Sequence, residues 1–334
     1  MNESTGPSGY ADGLPEVRSL EIDIRRYQAD DAPALVTLYN DQETESGPRD
    51  VKEFQRVATE QEGTAGGELW VAQYQGTVAG YAAWNPAWWT GRHDTFALEI
   101  RVERGRWGRG IGSSLYGSLV RRPFATQATR FLSWIRVDLA EAQRFAARHG
   151  FEPTGQVVEE RRLHLPDARD EYAAEHALRL ESEGLRISTL AELQVDEQFL
   201  HRLRRLWSVD EAGDELDFAA WRSSVLDGPG VSPETHWLVL DGERPIGTTF
   251  LKRLGPNGAE NDYTAVAPEY RGRGIASALK HRAIAWGREH GIDWFYTSSL
   301  LENGPMHAVN HRLGYLPGVR KQEVALELEA ARCR

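Results

Sequence analysis

The chain repeats itself. Arg109-Gly110-Ile111-Gly112-Ser113-Ser114-Leu115 returns as Arg273-Gly274-Ile275-Ala276-Ser277-Ala278-Leu279, an offset of 164 residues. Val102 and Val266, Gly150-Phe151 and Gly314-Tyr315, and Pro153 and Pro317 share that offset. A fixed period constrains the fold before local propensity does, because each copy must build the same unit. The 334 residues then divide into two domains of ordinary size. The expected organisation is a flexible tail over 1–18, an N-terminal domain over 19–166, a helical linker over 167–184 and a C-terminal domain over 185–334.

Hydrophobic periodicity gives both copies one element order: strand, two helices, three strands, helix, strand, helix, strand. In the first copy Thr95–Val102 alternates as a strand, Gly110–Val120 reads as a helix and Phe131–Val137 as the next strand. Glu260–Val266, Ile275–His290 and Trp294–Ser298 repeat that run. Gln75-Gly76 and Asp241-Gly242 are hairpin turns. Strands alternate with helices only in the later part of each copy, which predicts a mixed α/β fold with a mixed sheet.

Charge and cysteine usage exclude several function classes. Lys and Arg total 39 against 50 Asp and Glu, a net charge of −11. Whole-chain attraction to nucleic acid or an anionic membrane is therefore not expected. No apolar run reaches the roughly 18 residues that a membrane helix needs. Met1–Pro15 lacks the basic start and apolar core of a signal peptide. Cys333 is the single cysteine, so no internal disulfide and no cysteine-based zinc cluster can form. A cytoplasmic chain is expected, as a monomer (an internal pseudo-dimer) or a homodimer.

The chemistry sits where a strand runs into a Gly/Arg loop and then a helix. In the second copy this is Val266-Ala267-Pro268-Glu269-Tyr270-Arg271-Gly272-Arg273-Gly274-Ile275-Ala276. Glycines allow positive φ and close approach of a ligand to the backbone. Free N–H groups at the helix start form an anion nest, and Arg271 and Arg273 suit phosphate. A pyrophosphate is the natural ligand. The loop has no Lys for a nucleotide-triphosphate motif and does not fit the Gly-x-Gly-x-x-Gly dinucleotide fingerprint.

What does fit is Arg/Gln-x-x-Gly-x-Gly/Ala after a strand ending Val-x-Pro. This resembles motif A of the GNAT superfamily of acetyl-coenzyme-A-dependent N-acetyltransferases. Arg271, Gly274 and Ala276 fill the motif in the second copy. In the first, Gly110 and Gly112 stand but Trp107 replaces the Arg/Gln, and Arg104 replaces the Pro matched by Pro268. Asn303, Met306 and Asn310 before Leu313-Gly314-Tyr315 resemble a segment of two-domain GNAT proteins such as mycothiol synthase relatives. The resemblance implies two tandem acyl-coenzyme-A transferase domains with acetyl-coenzyme A as co-substrate. It implies contacts to that co-substrate from Val266, Ala267, Arg271, Gly272, Arg273, Gly274, Ile275, Ala276 and Asn303. In the first copy the corresponding contacts are Val102, Arg109, Gly110, Ile111 and Gly112. For Asn310 a solvated helix face is an equal alternative.

Acetyl transfer to an amine needs a base for the amine, a donor for the thioester oxygen and a proton for the leaving thiolate. The resemblance puts the donor, a strand N–H, near Val266 or Ala267. Strand alternation puts Glu260, Asp262, Thr264 and Val266 on one face. Glu260 lies eleven residues before Arg271, the distance at which some GNAT histone acetyltransferases keep their catalytic glutamate. Asp262 is the competing base. The matching face of the first copy, Phe96, Leu98, Ile100 and Val102, is apolar, with Glu99 pointing away. The second copy is therefore expected to be catalytic. The Tyr that many relatives carry as general acid is missing, which leaves the acid unassigned. Acidic segments at Asp41, Glu43 and Glu45 and at Asp210–Asp217 would attract a cationic amine. The expected activity is acetylation of a small primary amine such as an aminosugar, an aminoglycoside or a polyamine-like compound. The alternatives are a catalytically silent acyl-coenzyme-A-binding protein and a protein amine acetyltransferase.

Overall fold

The computed structural model describes residues 22–42, 49–63, 67–121, 127–208, 217–228 and 230–328. The expectations for the 1–18 tail, Glu43, Glu45, most of the second acidic segment and Cys333 lie outside these residues. The first half runs β1 (Ile22–Arg26), α1 (Ala32–Gln42), α2 (Val51–Gly63), β2 (Glu68–Tyr74), β3 (Thr77–Pro86) and β4 (Thr95–Val102). It continues with α3 (Ile111–Leu119), β5 (Arg130–Arg136), α4 (Ala140–Arg148) and β6 (Glu152–His164). The joint holds α5 (Ala173–Ser182). The second half repeats the order: β7 (Leu185–Thr189), α6 (Glu197–Ser208), α7 (Phe218–Val225), β8 (Val231–Asp241), β9 (Arg244–Leu254) and β10 (Gly258–Val266). It ends with α8 (Ile275–Glu289), β11 (Trp294–Leu300), α9 (Gly304–Leu313) and β12 (Leu316–Glu327).

Period-two alternation gives each half a two-sided sheet. On one side Leu35 and Val36 of α1 and Phe54 of α2 pack on Val71, Tyr81 and Ala83. On the other side Ile111, Leu115 and Leu119 of α3 pack on Ala72, Ala82 and Leu98. In the second half Trp207 of α6 and Trp221 of α7 meet at 5.4 Å between ring centroids. There α8 approaches β9 so closely that a Cβ on Gly247 would sit 2.8 Å from Ile275 Cγ2, so only glycine fits. Among the described residues no helix is long and apolar enough to cross a membrane.

All twelve strands form one sheet, ordered β1-β2-β3-β4-β5-β12-β6-β11-β10-β9-β8-β7. The order is palindromic except at its centre, where the final strands have changed places. β12 pairs with β5 of the first half, and β6 pairs with β11 of the second. The exchanged strands also pair antiparallel with each other, Glu159 facing Arg320 and Val158 facing Lys321. Ion pairs fasten this seam. Arg320 donates twice to Glu159 Oε2 at 3.1 Å, Arg161 binds the same carboxylate, and Lys321 meets Glu160 at 2.6 Å. Glu159 is 4% exposed, so removing one of its partners would leave a buried charge uncompensated.

The halves also touch across the helical side. Glu53 of α2 accepts from the Gly255 N–H in the β9–β10 turn. In pseudo-symmetric fashion Trp88, between β3 and β4, and Asp217 and Ala220 of the α7 start line one cavity of about 330 Å³.

Candidate active site

Each half has a strand that leaves its parallel neighbour. β4 pairs with β5 only over Thr95–Ala97, and β10 with β11 only over Gly258–Glu260. Beyond these points the strands diverge and open a cleft. The Gly/Arg loops lie at its far end and share one backbone shape. Gly108 and Gly110 have φ +77° and +83°; Gly272 and Gly274 have +77° and +82°. Both loops lead into a helix whose first turn leaves its N–H groups without intrahelical partners. That is an anion nest in each half.

The departure of Trp107 from the motif leaves the loop shape intact. Trp107 Nε1 donates to the Val102 carbonyl at 2.7 Å, and Arg271 Nε donates to the Val266 carbonyl at 3.1 Å. Two different side chains close the same loop. Arg273 is also occupied with loop shape: it lies over Tyr270, donates to the Glu269 carbonyl at 3.2 Å and meets Glu183 of the joint at 3.6 Å. Arg109 turns back towards Tyr74. In both loops the backbone amides at the helix start, rather than these arginines, are the groups available to an anion. They differ in cover. Gly108 and Gly110 face open space, whereas a Cβ on Gly274 would meet His176 of α5 at 2.9 Å.

The expected oxyanion donor narrows to one position. The Ala267 N–H donates to the Ile246 carbonyl at 2.8 Å, so it is engaged. Antiparallel pairing alternates amide directions, and Val266, opposite Gly247, turns its N–H towards the cleft. Asn303 caps α9 by accepting from the Met306 N–H at 3.2 Å. Asn310 is fully buried, and among the described residues neither its Nδ2 nor its Oδ1 has a partner; the buried Tyr315 hydroxyl is likewise unpartnered there. Such orphaned groups call for a bound polar molecule. The nests, the strand cleft and the orphaned Asn310 amide fit the pyrophosphate and amide-bearing arm of acetyl-coenzyme A.

The strand alternation expected for β10 does not hold. Asn261 pairs with Leu251 and Tyr263 with Phe250, so Asp262 is an extra residue, a β-bulge. The bulge turns the strand over. Glu260 and its cross-strand partner Lys252 face the α6–α7 side with Asp262, which Lys252 binds at 2.6 Å. Tyr263 stacks on Trp207 of α6 at 4.7 Å. Thr264 lies on the opposite side with Asn261, since Thr249 Oγ1 bonds both at 2.8 Å.

The bulge also changes which residues match between the halves. Glu260 pairs with Tyr296 as Ala97 pairs with Leu132, so Ala97 stands where the second half has Glu260. The apolar Phe96 and Leu98 pack under α3, and Glu99 is the residue on the α1–α2 side. Glu99 accepts from Tyr81 Oη at 2.9 Å and from Arg101 Nε at 2.5 Å. Burial pushes this carboxyl up, but Arg101, Arg49 and Tyr81 outweigh it and hold the group below the usual carboxylate range.

Glu260 behaves in the opposite way. Burial, then the like charge of Asp262, push it up to about 7, against the pull of Lys252 and Arg49. Behind it Lys280 of α8 is buried with its Nζ on Asn261 Oδ1, and burial lowers its pKa to about 7. Lys252, Arg49, Asn261 and Lys280 were not found by sequence reasoning. Their signal is spatial, carried by the bulge and the contact between halves.

No curated protein matches the chain. A family model described as the acetyltransferase (GNAT) family matches twice, over residues 32–151 and 194–315. Among solved structures, a GCN5-related N-acetyltransferase from Sphaerobacter thermophilus is 18% identical with a TM-score of 0.67, over 94% of this chain and 97% of that one. A tandem GNAT protein from the clavulanic acid biosynthesis pathway is 18% identical with a TM-score of 0.67, over 92% and 98%. A glucosamine N-acetyltransferase region of a fungal multi-domain enzyme is 15% identical with a TM-score of 0.68, over 93% of this chain and 38% of that one. At such identities the likeness is one of fold.

Proposed function

The chain belongs to the acetyltransferase (GNAT) family, and we propose that it transfers an acetyl group directly to a small primary amine, with the second half as the catalytic copy. It is an acyltransferase that uses acetyl-coenzyme A as co-substrate. When bound, acetyl-coenzyme A would supply the acetyl group as a thioester and leave as free coenzyme A, its thiolate taking the proton that the attacking nitrogen sheds. Its pyrophosphate would be held by the Gly272–Ala276 backbone, and its arm by the β10–β11 cleft and Asn310.

One observation carries the choice of half. Glu260, on the acceptor side where β10 leaves β11, titrates near neutrality, and the first half has Ala97 in its place. A base works best when its pKa lies near the working pH. A protonated substrate amine gives its proton to ionised Glu260. Lys252 and Asp262 hold the charge balance around it, and the Val266 N–H is the donor available for developing negative charge. Glu99, pinned by Arg101 and Tyr81, is a poor proton acceptor by comparison.

Chain-wide cysteine usage favours direct transfer, since no cysteine other than Cys333 exists to carry the acetyl group. The test is thiol release from acetyl-coenzyme A across a panel of amines. Turnover that depends on Glu260 supports the enzyme. Binding of coenzyme A without turnover of any amine supports the silent binding protein, a reading favoured by Val309, or Asn310 after a shift of one, standing where a Tyr acid would be expected.

A further inference from the structure

The bulge at Asp262 sets the phase between Glu260 and the Val266 N–H. Val266 lies six positions after Glu260, whereas Val102 lies five after Ala97. The far ends of the two strands match. Val266 pairs with Gly247 as Val102 pairs with Gly80. The Ala267 N–H donates to the Ile246 carbonyl at 2.8 Å, as the Glu103 N–H donates to that of Ala79 at 2.9 Å. β4 pairs with β3 from Phe96 to Val102 without a change of register, so the extra residue belongs to the second half. Since the Val266 end is common to both halves, loss of that residue would turn the Glu260 end over, from the acceptor side to the α8 side.

Asn261 stands at both breaks in the pairing of β10. Against β9 the register changes between the Asn261–Leu251 and Tyr263–Phe250 pairs. Asn261 Nδ2 spans that change, donating to the Phe250 carbonyl at 3.1 Å and to Thr249 Oγ1 at 2.8 Å. Against β11 the pairing ends at Glu260–Tyr296, and just past it Thr297 Oγ1 donates to the Asn261 carbonyl at 2.9 Å. Lys280 Nζ donates to Asn261 Oδ1, which fixes the amide with its NH2 towards β9. All four of these side chains are buried, and among the described residues Lys280 makes no ion pair. A lysine held there without a carboxylate costs stability. What it contributes is the orientation of this one amide. The first half has Leu98 and Tyr116 at the positions of Asn261 and Lys280, and Leu98 packs in the apolar core under α3.

We propose that Asn261, held by Lys280 and Thr297, is a positioning residue for acetyl transfer: it locks the bulge that keeps Glu260 on the acceptor side while the Val266 N–H faces the cleft. The proposal rests on the reading of Glu260 as the second half's base. Asn261 lies on the opposite side of the sheet with Thr264, so it acts through the backbone of β10 and not on the acceptor.

The test measures thiol release by the full chain and its variants, beside a crystal structure of one of them. Thr297→Val keeps the side-chain shape and removes the hydroxyl. It should lower kcat by about 10-fold with KM for acetyl-coenzyme A within about threefold, and Thr297→Ser should recover most of the loss. Asn261→Leu combined with Lys280→Met replaces the buried polar pair by apolar groups. This double variant should lose about 100-fold in kcat, again with KM for acetyl-coenzyme A within about threefold, and should lose the acid-side fall of kcat/KM as Glu260→Gln does. Its crystal structure should show β10 paired with β9 without the register change. A double variant that keeps the bulge, or that keeps an acid-side fall which Glu260→Gln removes, overturns the proposal. So does a Thr297→Val variant no worse than Thr297→Ser, a comparison that stands even if the double variant does not fold. If Glu260→Gln itself keeps the acid-side fall, or if the wild type acetylates no amine, the base reading fails. The register in the double variant then decides the lock by itself: loss of the bulge upholds it, and retention refutes it.

Discussion

Replacing Glu260 by Gln should remove activity and add stability at once. Burial and Asp262 raise this carboxyl from 4.5 to about 7. As a base it must be ionised, so kcat/KM should fall with decreasing pH through about 7. About nine-tenths of the base is available at pH 8 and about one-tenth at pH 6. Glu260→Gln should lose about 100- to 10,000-fold at pH 8 and lose the acid limb of the profile. Stability moves the other way. A carboxyl whose folded pKa is raised costs nothing below the unfolded value, because it is protonated in both states. The full cost is present above the folded value, so wild-type stability declines between about pH 4.5 and 7. The shift sets a ceiling of about 3 kcal/mol. Glu260→Gln should therefore be more stable than the wild type at pH 8, by up to that amount, and equal to it near pH 4. The assays are thiol release from pH 5.5 to 9 and urea unfolding at pH 4 and 8. An acid limb surviving in Glu260→Gln would remove Glu260 as the base. A stability difference that does not grow with pH would refute the electrostatic reasoning.

Other outcomes follow from the two nests, the buried lysine and the seam. Gly272→Asp puts a carboxylate into the second nest at a φ of +77°, in open space, and should abolish acetylation; Gly108→Asp, at the same φ, should leave most of it. Equal losses would move catalysis away from the second half. Lys280, lowered by burial to about 7, binds a proton on unfolding, so wild-type stability should rise from pH 7 towards 10. Urea unfolding of Lys280→Met should show no such rise. Glu159→Gln strips the buried seam of its charge opposite Arg161 and Arg320 and should cost about 3 kcal/mol in urea unfolding.

Much of this was legible because it is local. The period of 164 residues announces two equal units, and positive-φ glycines before a helix announce a nest wherever they occur. The strands and helices around the nests then follow from periodicity. Three features escaped for physical reasons. The bulge at Asp262 adds one residue to β10, and alternation counted through it misassigns every side chain on one flank. Such a count makes Phe96 and Leu98 appear to be the counterparts of the Glu260 face, when Ala97 is. The strand exchange is invisible because β6 and β12 have equivalent patterns, and either satisfies either half. Arg49 lies 211 residues before Glu260, and nothing near it in sequence says that its charge acts on a carboxylate of the other half.

The exchanged strands make the two halves one thermodynamic object. In this arrangement neither half holds all the strands of its own sheet, so the two halves are folded together. A duplication usually frees one copy to decay while the other keeps the work. Here the first half, with Ala97 at the position of Glu260, still supplies the strand that completes the second half's sheet, and its α2 packs on the second half's β9–β10 turn. Its sequence can differ at the position of Glu260, as Ala97 shows, but its fold is under the same constraint as that of the second half. Calorimetry should accordingly record one cooperative transition for a chain with two family matches, and damage to the core of the first half should appear as lost activity in the second.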